Sequence, residues 1–216
     1  MDILEIMKAR HSVRQYSGRK IEGEARKALE ALASECNRES GLNIQIIFDE
    51  PKCFDSRMAH YGKFSGVENY IALVGKKGAD LDEKAGYYGE KLVLKAQELG
   101  LNTCWVAMTH GKSAARIGKD EKLACIIALG YGATQGAAHK NKPLEQLCNC
   151  ASGTPDWFSR GMEAALLAPT AMNQQKFFIT LENGKVTARA GRGFYTKLDL
   201  GIVKYHFEAA TGHKVE

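Results

Sequence analysis

Proline and tryptophan are scarce, at four and two residues in 216, and no low-complexity run interrupts the chain. Extended disorder is thereby excluded over most of its length, and the chain is long enough to bury a sizeable core. Blocks of one charge are also missing. The 30 basic and 25 acidic residues are interspersed and leave a net charge of +5. That pattern excludes the clustered basic face of a nucleic-acid binder and suits a small anionic ligand. Asp2 and Glu5 break the apolar N-terminal stretch MDILEIMKAR, which reads as neither a signal peptide nor a membrane span. No membrane partner is expected, and the expected compartment is the cytoplasm.

Six cysteines, Cys36, Cys53, Cys104, Cys125, Cys148 and Cys150, lack the dense spacing of a disulfide scaffold and are expected to be reduced thiols. Cys148-Asn149-Cys150, with His139 nearby, has no second pair at zinc-ligand spacing, so no metal is expected. A nucleophile elbow, a P-loop, a dinucleotide glycine fingerprint and a paired-histidine metalloprotease helix are all missing. Hydrolase and kinase chemistry is therefore not expected. His110 and His206 have no partner that the sequence identifies and read as structural.

What is present is a succession of amphipathic helices and short β-branched runs. Asp2 can cap a first helix around Ile3, Ile6 and Met7. EGEARKALEALASEC forms a second, with Ala25, Ala28, Leu29, Leu32 and Cys36 on one side. Residues 43–50, 69–77 and 124–132 read as strands, two of them central. Between the last two, EKAGYYGEKLVLKAQELG reads as a core helix that ends at Gly100 and buries Ala85, Tyr88, Leu92, Ala96 and Leu99. Thr154-Pro155 opens a helix to Ala168. FFITLENGKVTARA reads as a hairpin turning at Asn183-Gly184, and residues 200–212 as a terminal helix capped by Asp199 and stopped by Gly212. Residues 26–48 overlay 160–182 without a gap, helix on helix and strand on strand. This is either an old duplication or the common form of a helix followed by a strand.

Three stretches can carry chemistry. Arg10, Ser12 and Arg14 alternate through RHSVRQY, with His11 between them, and would aim two guanidiniums and a hydroxyl one way. That set can grip a phosphate or can be a basic surface strand. In LLAPTAMNQQKFFIT, Pro169 ends a helix. Thr170, Asn173 and Gln174 then offer groups that can read a heterocycle edge or can satisfy their own loop. In LNTCWVAMTHG, Thr103, Cys104 and Trp105 lie on a short strand, where Trp105 can cover a planar ligand or can be core.

Together, RHSVRQY, YYGEKLVLKAQELGLNTCWV, ALGYG, LAPTAMNQQKFFI and LDLGIVKYHFEAA resemble the FMN-dependent nitroreductase family over most of the chain. The resemblance implies an α+β fold, a mainly antiparallel sheet with surrounding helices. It also implies FMN bound noncovalently, NADH or NADPH as hydride donor, and a small-molecule electron acceptor of the nitroaromatic or quinone type, used in ping-pong order. Arg10, His11, Ser12 and Arg14 match the segment that grips the flavin phosphate and ribityl chain. Pro169, Thr170 and Asn173 match the turn along the ring, with Gln174 beside them. Backbone N–H groups around Thr103, Cys104 and Trp105 are candidates to stabilise the reduced ring.

The order of motifs departs from the common pattern. The P-[ST]-x-x-N turn ordinarily follows the first amphipathic helix, where this chain has SECNRESG. The expectation is a single domain over 1–216, with two pseudo-symmetric lobes at 1–150 and 151–216. It would be a monomeric pseudo-dimer with one flavin per chain, or a homodimer. The alternatives are a flavin-storage protein and a flavoenzyme of the same fold with different chemistry.

Overall fold

The computed structural model describes residues 2–149 and 153–216. Its elements in chain order are α1 (Ile3–Ala9), α2 (Gly23–Ser40), β1 (Gln45–Ile47), α3 (Arg57–Tyr61), β2 (Asn69–Lys76), α4 (Leu81–Glu98), β3 (Asn102–Val106), β4 (Glu121–Gly130), α5 (Asp156–Leu167), β5 (Phe177–Glu182), β6 (Lys185–Ala190) and α6 (Thr196–Thr211). The fold is α+β with antiparallel sheets, as the family resemblance implies. The chain divides into two compact units. A sheet unit comprises Ala9–Leu81 and Lys91–Ala137, and a helical unit comprises Met1–Lys8, Asp82–Glu90 and Ala138–Glu216.

In the sheet unit the strands run in the order β1-β2-β4-β3, all pairs antiparallel. The two runs richest in Ile, Leu and Val take the centre, where both faces are covered. Seven of the eight residues of β2 are buried, and Ile71 and Leu73 pair with Ile127 and Cys125 of β4. Tyr70, Ala72 and Val74 join Val13, Phe54 and Phe64 in one apolar cluster. The strand predicted at 43–50 shrinks to three residues. Asn43 is drawn to Val74 O and to the Glu121 carboxylate, and Asp49 turns left-handed at φ 54°. The helix α2 runs on to Ser40 and closes at Gly41 in the left-handed conformation.

That length limits the proposed overlay. Residues 26–33 are helical like 160–167, and β1 falls on 179–181. Residues 35–40, however, are still helix where their counterparts after Pro169 form a turn. In the first copy Glu35 and Glu39 pair with Lys91 Nζ at 2.8 and 3.5 Å, and Cys36 is buried. Pro169 accounts for the difference, because its ring and missing N–H end the second helix early.

In the helical unit α5 packs on α6, where a Cβ at Gly161 would overlap the Phe207 ring. The first half of α4 meets α6 almost backbone to backbone. A methyl at Gly86 would overlap the Leu198 carbonyl, and one at Gly201 the Glu83 carbonyl. Predicted burial on α4 holds for Ala85, Leu92 and Ala96, while Tyr88 and Leu99 are half-buried. Gly100 lies just past the helix at φ 75°. The hairpin turns where Asn183 and Gly184 take φ 51° and 77°, as a tight two-residue turn requires.

Three expectations are corrected. Pro155 rather than Thr154 is the N-cap of α5, which ends at Leu167 rather than Ala168. Asp199 does not cap the last helix, which begins three residues earlier at Thr196 after a left-handed Tyr195. Cys36, Cys53, Cys104 and Cys125 are free thiols, but Cys148 is disulfide-bonded. Cys150 lies outside the described residues, and among the described residues no group of three His, Cys, Asp or Glu could hold a metal.

Candidate functional site

In the sheet unit, the chain after α1 passes β3 at Ser12 and Val13 and then pairs with Ser65 through Gln15. Ser12 bridges Thr103 in parallel, and Val13 N donates to Thr103 O at 3.0 Å. Tyr16 then bridges Gly132, with its hydroxyl on Val13 O at 2.8 Å. The expected even alternation is only partial, since Ser12 and Arg14 are exposed while Arg10 is 3% exposed. All three act on one point. Burial pushes the Cys104 thiol above its ordinary value, while the Arg14 guanidinium, a hydrogen bond with Ser12 and the Arg10 guanidinium pull it the other way. Two cations and a hydroxyl are thus gathered round the middle of β3, where Thr103 is buried and Trp105 half-buried.

The loop after β4 completes this half. Asn102, itself buried, accepts from Gly132 N at 3.0 Å and donates to Gln135 Oε1 at 3.1 Å. Gly136, at φ 71°, passes so close that a Cβ there would lie 2.8 Å from His11 Cβ. Neither Asn102 nor Gly136 stood out in the sequence. The glycines of GYGATQG were the available signal.

In the helical unit, α5 stops at Leu167 and the chain enters a short 3₁₀ turn at Ala171–Asn173. Met172, Asn173 and Gln175 have φ of 51°, 52° and 41°, left-handed values that cost energy in residues other than glycine. The polar side chains hold this shape. Thr170 Oγ1 accepts from Gln175 N at 3.0 Å, and Asn173 Nδ2 donates to Lys140 O at 2.7 Å. Gln174 Nε2 donates to Phe194 O at 2.8 Å and Asp199 Oδ2 at 2.7 Å, while Asp199 Oδ1 accepts from Ala171 N at 2.9 Å. Gln175, almost fully buried, accepts from Lys142 N at 2.7 Å and donates to Asn141 Oδ1 at 3.0 Å. Much of the turn's polarity therefore goes into building it. Thr170 keeps a hydroxyl hydrogen to give, and the exposed Asn173 keeps its amide oxygen to accept.

Asp199 is the residue the sequence reading misplaced. Burial pushes its carboxyl up to about 6, against the hydrogen bonds from Ala171 and Gln174. The histidines are structural. His110 Nδ1 faces Gly111 O at 2.6 Å, and His206 lies fully buried between Ala164 O and Glu90.

A four-stranded antiparallel sheet with helices, an Arg/Ser segment laid beside its outer strand β3 and a P-T-x-x-N turn after a helix define a nitroreductase-like α+β protein. The chain matches the family model described as "Putative TM nitroreductase" over residues 2–211, and it belongs to that nitroreductase family. It is similar to the solved structure of a "putative nitroreductase" from Thermotoga maritima MSB8, with 25% identity, 97% of this chain and 83% of that chain covered, and a TM-score of 0.68. Fold similarity extends to a "putative nitroreductase" from Desulfovibrio desulfuricans solved in complex with FMN (19% identity, 71% and 98% covered, TM-score 0.55). It extends also to a "Putative NADH dehydrogenase/NAD(P)H nitroreductase" from Parabacteroides distasonis ATCC 8503 (18%, 70% and 98%, TM-score 0.54). No curated protein matches the chain.

Proposed function

We propose that the protein is an FMN-dependent NAD(P)H oxidoreductase that reduces nitroaromatic or quinone-type acceptors. The observation that carries this reading is the Arg10–Arg14 segment bridged to β3 through Ser12 and Val13 in a chain of the nitroreductase family. Guanidinium and hydroxyl donors suit a phosphate dianion, and they keep their charge or hydrogen at any physiological pH. Pro169, Thr170, Asn173 and Gln174 form a stiff turn whose remaining hydroxyl hydrogen and amide oxygen suit a heterocycle that both accepts and donates. The donor set therefore fits FMN.

Bound FMN would supply the hydride chemistry, taking electrons from NADH or NADPH and passing them to the acceptor in ping-pong order. Arg10, His11, Ser12 and Arg14 would hold the phosphate and ribityl chain. The residues of the turn would orient the ring, and backbone N–H groups around Thr103, Cys104 and Trp105 would face its negative charge. The absence of a separate acid–base dyad among the assigned residues agrees with a reaction carried by the cofactor. We further propose one FMN per chain, in a monomeric pseudo-dimer or a homodimer.

The test is the visible spectrum of the freshly purified protein, with released cofactor counted per chain, before and after anaerobic NADH or NADPH. A flavin band near one FMN per chain that bleaches, followed by turnover with a nitroaromatic or quinone, is the expected result. Bleaching without turnover would point to flavin storage or another chemistry. A colourless protein that takes up no FMN would overturn the reading.

A further inference from the structure

We propose that Asp199 is a positioning residue whose two carboxylate oxygens, one on Ala171 N and one on Gln174 Nε2, keep the Pro169–Gln175 turn in the shape that meets the cofactor. The inference rests on the FMN reading and gives a role to an aspartate of the stretch LDLGIVKYHFEAA to which the sequence assigns only a helix cap.

The turn needs outside support. Three of its residues that are not glycine are left-handed within four positions, and such strain persists only where the surroundings over-determine it. The support comes from two sides. Residues 140–142 hold Asn173 and Gln175, the trailing half. Asp199 holds Ala171 and Gln174, the leading half, and Gln174 carries the link on to Phe194 O. Asp199 is itself fixed within α6, 3% exposed, with its N–H on Tyr195 O at 2.9 Å.

Among the described residues, no cation is paired with its carboxylate. The groups that act on it are burial, the Ala171 N–H and the Gln174 amide. Charged side chains on neighbouring elements face elsewhere. Glu83 of α4 takes Lys204 at 2.8 Å, and Glu208 of α6 takes Tyr87 and Lys214. Lys142 gives its Nζ to Gln175 O at 3.2 Å, and Lys176 reaches toward Gly193. A buried carboxylate without a cation is costly, and two hydrogen-bond donors from the same turn are what it serves. Protonation turns one of its oxygens from acceptor to donor, opposite a group that is also a donor. The turn's leading half should therefore lose one of its two hydrogen bonds as the pH falls through about 6, while relief of the buried charge favours the folded chain as a whole.

The experiment compares wild type, Asp199→Asn and Gln174→Leu by FMN fluorescence titration at pH 7.5 and 5.5. Hydrogen exchange over residues 169–176 is measured in parallel. The phosphate of FMN titrates near pH 6 as well, so the comparison is between the wild-type and Asp199→Asn pH dependences. Asp199→Asn should bind FMN about tenfold more weakly at pH 7.5, exchange faster across the turn, and lose affinity less steeply than wild type on acidification. Wild type that binds FMN alongside an Asp199→Asn protein with equal affinity and equal pH dependence would overturn the inference alone. Wild type that takes up no FMN would overturn the functional reading and the inference with it. If Asp199→Asn does not fold, Gln174→Leu decides, because unchanged affinity and exchange in that variant would remove the role.

Discussion

The carboxylate of Glu90 and Nε2 of His206 lie 2.8 Å apart, and both side chains are fully buried. The other ring nitrogen faces Ala164 O at 2.9 Å, an oxygen that only accepts, so Nδ1 carries a hydrogen. The two contacts of this one ring tie α4, α5 and α6 together. Glu90→Leu or His206→Leu alone should each destabilise the protein by about 3–5 kcal/mol, because a buried polar group loses this contact. The double replacement should cost less than the sum of the two. Urea unfolding of the four proteins gives the coupling, and strict additivity would show that the pair does not act as a unit.

Removing a phosphate contact should show in cofactor retention. Arg10→Ala is expected to weaken FMN binding by on the order of 1.5–3 kcal/mol, as for a charge-assisted contact in a buried place. Riboflavin, which lacks the phosphate, serves as the control ligand and should bind both proteins alike. Equal FMN affinity in Arg10→Ala would assign the phosphate to other residues.

Glycine substitutions should separate crowding from backbone strain. Gly201→Ala places a methyl against the Glu83 carbonyl, a backbone atom that cannot move aside, and should cost about 3 kcal/mol or more. Gly212→Ala meets nothing within 4 Å but must adopt φ 73°, and should cost about 1 kcal/mol. Thermal unfolding ranks the two, and a smaller loss at Gly201 would mean that α4 and α6 can part.

Asp199 should also leave a mark on stability against pH. Its carboxyl is raised from 3.8 to about 6 in the folded protein, so the folded state binds this proton more tightly than the unfolded chain does. The contribution is fully present below about pH 4 and is lost as the pH rises through 6. It amounts to on the order of 2–3 kcal/mol. Unfolding free energies of wild type and Asp199→Asn measured from pH 4 to 7.5 should diverge over that window. Parallel curves would place the carboxyl near its ordinary value.

How much of this was legible depended on the range of the interactions. The hairpin was written locally in Asn183-Gly184, and the core helix in the apolar spacing of Ala85, Leu92 and Ala96. The extended segment after α1 was legible as a motif, although the burial of Arg10 depends on β3 and was not. The polar turn was visible as an anomaly, but its partners Lys140, Lys142 and Asp199 stand 25 to 33 residues away. An aspartate before an apolar helical run reads as a cap, and only the three-residue earlier start of α6 reveals that it points into a neighbouring turn. His206 shows the same limit, since its partner lies 116 residues upstream.

Both sheets are bordered by short pieces of chain. Ser12 and Val13 run beside β3, and β1 has only three residues. In the hairpin, Cys148 flanks β5, and Val215 and Glu216 flank β6. The most aggregation-prone segments, IALV in β2 and CIIAL in β4, therefore sit inside a ladder whose outer rungs are covered or short, which leaves a second molecule little backbone on which to start a strand.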